Sequence, residues 1–159
     1  MIDKRPILLA TDGSPSAAEA QREALELAQV LGVTLLVVSV AHTTLPLMAY
    51  NGYGYSNVVA ELTEAERHRI EQVLGSVAET AEAAGVRCFT FAAEGSPVEE
   101  ISRVARDRDA QLIVVGSHGW GAARRLLSGS VSTGLVHTAP CPVFVIRTPH
   151  DALRQRAAA

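Results

Sequence analysis

Five short apolar runs rich in β-branched residues recur along the chain, and longer stretches of helical periodicity separate them. The runs are Ile7 to Thr11, Thr34 to Ala41, Arg87 to Ala93, Leu112 to Gly116 and Val143 to Ile146. Their apolar character is nearly continuous, the pattern of strands covered on both faces. In the first intervening stretch Ser14 is a candidate N-cap with Pro15 at the first helical position. Ala17, Ala20, Ala24, Leu27, Ala28 and Leu31 then recur at helical spacing until Gly32. The second stretch carries Leu62, Ile70, Val73, Leu74, Val77 and Ala81 on one face and stops near Gly85. The third opens at Ser96-Pro97 with Val98, Ile101, Val104 and Ala105 as its stripe. The fourth begins near Ser130, with Val131, Leu135 and Val136, and ends before Pro140. Alternating strands and helices imply parallel strands joined by right-handed crossovers, hence an open α/β sheet with helices on both faces.

With 159 residues, 48% of them hydrophobic, the chain has apolar material for one core. One domain over residues 1–148 is expected, followed by a frayed tail at 149–159. No internal repeat is visible. The segment His42 to Asn57, with Tyr50, Gly52, Tyr53, Gly54 and Tyr55, reads as a long loop. A net charge of -3, with no run of Lys or Arg longer than two residues, leaves no footprint for nucleic acid or an anionic membrane surface. Val33 to Ala41 is too short for the roughly 20 residues of a membrane span. The N-terminus lacks the apolar core of a secretory signal, so a cytoplasmic location is expected. Cys88 and Cys141 lie far apart with no CxxC, so they read as reduced, packed thiols, with neither a zinc site nor a disulfide.

In an open α/β sheet, ligands sit beyond the carboxyl ends of the strands, so the residues that follow strands carry the chemistry. They are Asp12-Gly13-Ser14 after the first strand, Ala41-His42 after the second and Gly116-Ser117-His118-Gly119 after the fourth. Gly129-Ser130 then opens the last helix. Gly116, Gly119, Gly129 and Ser130 form the pattern G-x2-G-x9-G-S. Glycines there allow positive φ and let a phosphate approach the main chain, while Ser130, Val131 and Ser132 present N–H groups at a helix N-terminus. The arrangement is an anion cradle without a lysine. There is no G-x4-G-K-[ST] for a P-loop, no dinucleotide G-x-G-x-x-G after the first strand, and no G-x-S-x-G nucleophile elbow.

The stretch GSHGWGAARRLLSGSVSTGLVHTAPCPVFVI, Gly116 to Ile146, resembles the nucleotide-binding region of the universal stress protein family. Ile7-Leu8-Leu9-Ala10-Thr11-Asp12-Gly13-Ser14 resembles that family's first strand and turn, and the likeness extends from Arg5 to Arg147. It implies a Rossmann-like sheet of the adenine nucleotide alpha hydrolase-like kind, strand order 3-2-1-4-5, membership of the ATP-binding subgroup, and a homodimer through the fifth strands, Val143 to Ile146. Carried over, Asp12 would lie beside the ribose and metal-bound phosphates, and the Val40 main chain would bond adenine. Gly116 and Gly119 would line the ribose and phosphates, and Gly129, Ser130, Val131 and Ser132 would hold the phosphate tail. The cofactor implied is ATP, with ADP or AMP as alternatives, and Mg or Mn bound mainly through the phosphates. The sequence departs from the family pattern at Trp120-Gly121 and in the Gly/Tyr-rich 42–57 loop, which bears on how the pocket closes.

Each residue also has a plainer role. Gly116 and Gly119 serve as turn glycines and Asp12 as a cap or turn residue; His118 reads as a solvated loop histidine, and Arg124 and Arg125 as an exposed face. Tyr50, Tyr53 and Tyr55 are either a lid, a partner surface or loop residues without a role. Three functions are then open: an ATP-binding, nucleotide-responsive regulatory homodimer in the stress response; a slow ATPase or phosphotransferase using Asp12, His118 and a divalent metal; and a dimeric scaffold that binds no nucleotide. Between Leu112 and Ile146 there is no Asp or Glu to act as a general base, so slow or undetectable turnover is expected.

Overall fold

The structure is a computed structural model, which describes residues 4–41, 56–117 and 130–147. Its elements are β1 (Ile7–Ala10), α1 (Pro15–Leu31), β2 (Leu35–Ala41), α2 (Ser56–Ala83), β3 (Cys88–Glu94), α3 (Pro97–Asp107), β4 (Leu112–Gly116), α4 (Ser130–Thr138) and β5 (Val143–Ile146). All neighbouring strands pair in parallel, in the order β3-β2-β1-β4-β5, as expected. Gly119, Gly129, the Tyr residues of the 42–57 loop and the 149–159 tail lie outside the described residues. One boundary differs: Ser56 and Asn57, expected in the loop, already belong to α2.

Side-chain alternation along the strands divides the core in two. Ile7, Leu9, Leu35 and Val37 point to one face, where Ala20, Ala24 and Ala28 of α1 and Ile70, Leu74, Val77 and Ala81 of α2 cover them. Leu8, Ala10, Leu36, Val38, Ile113 and Val115 point to the other, under Ile101, Val104 and Ala105 of α3 and Leu135 of α4. The alanine stripe keeps α1 close to the sheet. Truncating a fully buried residue such as Leu135 or Leu9 to Ala costs about 2–5 kcal/mol.

Local signals set the helix ends. The Ser14 Oγ accepts from the Ala17 N–H at 3.3 Å, Pro15 occupies the first turn, and Gly32 closes α1 in the left-handed region at φ 65°. Ser96 opens α3 without a side-chain bond, and Glu99 and Glu100 in the first turn complement the helix dipole instead. Cys88 starts β3 and Cys141 precedes β5, so they stand at opposite sheet edges, four strand spacings or about 19 Å apart. An intrachain bridge cannot span that distance. Burial is the main cause that pushes both thiols up, which makes them poor nucleophiles at neutral pH.

Candidate functional site

β1 feeds α1 on one face of the sheet, while the chain leaving β4 returns through α4 on the other. These two strands are neighbours, so a crevice opens between their carboxyl ends. Ala10 pairs with Val115, which brings Thr11 and Asp12 level with Gly116 and Ser117.

Side-chain and main-chain bonds fasten the β1–α1 turn on all sides. Asp12 Oδ1 accepts from the Ser14 N–H at 3.0 Å, and the Gly13 N–H donates to Thr11 Oγ1 at 3.2 Å. From α2, Arg69 Nη1 donates to the Asp12 carbonyl at 2.7 Å. The same guanidinium grips Glu66 with two bonds, Nε to Oε2 at 2.9 Å and Nη2 to Oε1 at 2.6 Å. The bond to Arg69 holds the Glu66 carboxyl below its ordinary value. Arg69 is raised in return, by Glu66 first and also by the charge of Asp12. Gly13 is needed here: its φ is +74°, and a Cβ on it would lie 2.7 Å from Val73 Cγ2 of α2.

β2 outruns β1. The Thr11 N–H donates to the Val38 carbonyl, and the Gly95 N–H to the Ala41 carbonyl, so even-numbered residues of β2 direct their polar groups toward β1 and odd-numbered ones toward β3. Val40 therefore points its N–H and C=O to the β1 side, two residues past the last paired position, Val38 opposite Ala10. A planar ring with a donor and an acceptor on adjacent atoms fits a main-chain pair that extends past the paired strand in this way.

On the far side, Gly116 ends β4 opposite Ile146, and the Ser117 N–H donates to the Ile146 carbonyl at 2.8 Å. Gly116 is an ordinary strand residue without positive φ, so of the two freedoms a glycine allows there, it is close approach to the main chain that bears on this position. Because α4 runs back against the strands, its first turn, Ser130, Val131 and Ser132, lies at the same edge as Asp12 and Val40. The N–H groups of a first turn have no partner inside their helix. Ser132 is buried, Val131 packs into the α3/α4 core, and Gly134 lets α4 approach Val98 of α3.

The structure thus brings Asp12, Val40, Gly116, Ser130, Val131 and Ser132 to one edge of the sheet. Gly119, Gly129, His118, Trp120, Arg124 and Arg125 lie outside the described residues. Arg69 was not foreseen: its only local sign is the i,i+3 pair with Glu66, which any solvated helix face can show. Among the described residues no three His, Cys, Asp or Glu side chains gather as a metal site, and no helix is long and apolar enough to cross a membrane. A groove of about 560 Å³, lined by Pro6, Thr34, Leu36, Phe89, Phe91 and Arg108 among others, lies at the opposite end of the strands. There Arg108 stacks 4.8 Å over the Phe91 ring.

Residues 4–147 match the model of the universal stress protein family. The chain belongs to this family. A universal stress protein of Staphylococcus epidermidis is 37% identical over 150 residues, covering 93% of this chain and 87% of the relative. The universal stress protein UspA of Lactobacillus plantarum has the same fold at a TM-score of 0.78, with 27% identity over 91% of this chain and 98% of its own. A universal stress protein of Archaeoglobus fulgidus, at 25% identity and a TM-score of 0.59 over 92% of this chain and 99% of its own, is in complex with dAMP. Other proteins of the fold hold AMP and cAMP.

Proposed function

We propose that this protein binds ATP in the β1/β4 crevice and acts as a nucleotide-responsive regulatory homodimer in the cytoplasm. One observation carries the reading: the Val40 main-chain pair on the β1 side, the Asp12 turn and the first-turn N–H groups of Ser130, Val131 and Ser132 share one sheet edge. The order suits a nucleotide, with adenine on Val40, ribose and metal-bound phosphates near Asp12 and Gly116, and the phosphate tail on the Gly119, Gly129 and α4 side. Adenine nucleotides bound by relatives support the base, and the family's G-x2-G-x9-G-S spacing supports the triphosphate. Three or four hydrogen bonds to charged phosphates, each on the order of 1.5–3 kcal/mol, sustain about micromolar affinity after association costs. Mg or Mn enters bound to the phosphates. Unbridged cysteines at opposite edges suit a reducing compartment.

Calorimetry with Mg-ATP tests the site. Gly129→Leu should abolish binding while circular dichroism keeps the fold; unchanged affinity in that variant would falsify the cradle. Turnover is expected to be slow or undetectable, because the chain supplies neither a Walker lysine nor an acid between Leu112 and Ile146.

The dimer reading rests on the β5 edge. The Pro142 and Ile146 carbonyls bond to β4, so Val143 and Val145 direct their N–H and C=O groups outward, and Phe144 is 44% exposed beside them. A two-fold axis there would join two five-stranded sheets in antiparallel register. Val145→Pro deletes an outward N–H and leaves the β4–β5 ladder complete, so light scattering should report monomers. A persistent dimer would place the interface elsewhere.

A further inference from the structure

Four arginines of the described helices pair with carboxylates of their own helix: Arg22, Arg67, Arg69 and Arg103. Arg22, Arg67 and Arg103 are more than half exposed, and among the described residues their side chains bond only to local partners on the same helix. Arg69 differs. It is less exposed, at 39%, and it reaches across 57 residues to the main chain of Asp12. One turn further along α2, Val73 fills the space above Gly13. Two successive turns of α2 therefore seat the β1–α1 turn, one through charge and one through shape.

We propose that Arg69 is a positioning and charge-compensating residue of the nucleotide crevice. The inference rests on the nucleotide reading above. A carboxylate at the mouth of a polyphosphate site repels its ligand, and the repulsion grows with the charge of the phosphate chain. Arg69 supplies the opposite charge from the neighbouring helix α2, close enough to Asp12 to feel its field, while its Nη1–H fixes the carbonyl of Asp12. Glu66 in turn fixes the guanidinium plane with two bonds, so the donor is held ready before a ligand arrives. Arg69 works through Asp12 and need not touch the nucleotide itself. The chain thereby relieves part of the Asp12 charge that a divalent cation would otherwise have to screen.

This predicts a split between charged and uncharged ligands that a scaffold role would not produce. In Arg69→Met, which keeps the length of the apolar stem, ATP affinity without divalent cation should fall about tenfold, a loss of the size of one charge-assisted bond. Adenosine affinity should change less than about twofold, and added Mg should narrow the ATP deficit. Arg69→Lys restores the charge without the bidentate grip and should recover most of the ATP affinity, which also covers the case in which Arg69→Met folds poorly. Calorimetry with ATP and adenosine, with and without Mg, reads all of these. If wild type binds but the Met variant loses ATP and adenosine equally, or loses neither, or if Lys restores nothing, Arg69 is only structural. If wild type binds neither ligand, the nucleotide reading itself falls and takes this inference with it.

Discussion

Gly13 and Gly134 pose the same steric problem on the two arms of the crevice. At each, a Cβ would lie 2.7 Å from the Cγ2 of a valine, Val73 of α2 in one case and Val98 of α3 in the other. Their backbones differ. Gly13 sits at φ +74° in a turn, whereas Gly134 lies inside α4, where alanine is the better helix former. A close approach alone is a constraint that a helix partly offsets; a close approach in the left-handed region is compounded by strain. The β1 arm is accordingly held by specific bonds and a special conformation, and the α4 arm by the absence of side chains.

The same substitution on both arms exposes the difference. Gly13→Ala should destabilise by about 3 kcal/mol, summing left-handed strain and overpacking. Adding Val73→Ala should return only the packing share, which denaturant melts of the single and double variants would resolve; full recovery would mean the φ of Gly13 carries no cost. Ser14→Ala removes the cap of α1 and should cost about 1 kcal/mol by the same assay. Gly134→Ala should cost less than about 1 kcal/mol, because helix propensity returns much of the overpacking, and a loss as large as at Gly13 would erase the contrast between the arms. The smallest effect is one of pH. The Glu66 carboxyl is depressed in the folded protein, so its contribution is complete above the ordinary carboxylate range and fades as pH falls through the lower folded value. A titration of Glu66 followed by NMR should show that depressed midpoint return toward the ordinary value in Arg69→Met.

The sheet was legible because its central strands are uninterrupted apolar runs and the helices α1, α2 and α3 begin at Ser-Pro pairs or stop at glycine. The edges were harder. Cys88-Phe89-Thr90-Phe91 reads like a covered strand, yet Phe89 is 55% exposed, since strand order decides which strand lies outermost and a strand's own residues do not record it. The start of α2 was missed because Ser56 and Asn57 suit a loop as well as a first helical turn. Within the site, Asp12, Val40 and the α4 turn follow from their places after strands. Arg69 does not, because a bond across 57 residues leaves no periodic trace, and on a helical wheel it is one more polar residue.

Strand order also sets the sequence of events during synthesis. β1, the central strand, is made first, and its neighbour β4 emerges only after β2, α2, β3 and α3. When Glu94 has left the ribosome, α1 and α2 can cover one face of a three-stranded half-sheet, but Leu8, Ala10, Leu36 and Val38 have nothing above them. The remaining stretch to Ile146 takes about 3–10 s at roughly 5–20 residues per second. For those seconds the nascent chain presents a bare apolar wall to everything around it. Its hazard of aggregation, and its claim on a chaperone, then come from the order in which the layers are made.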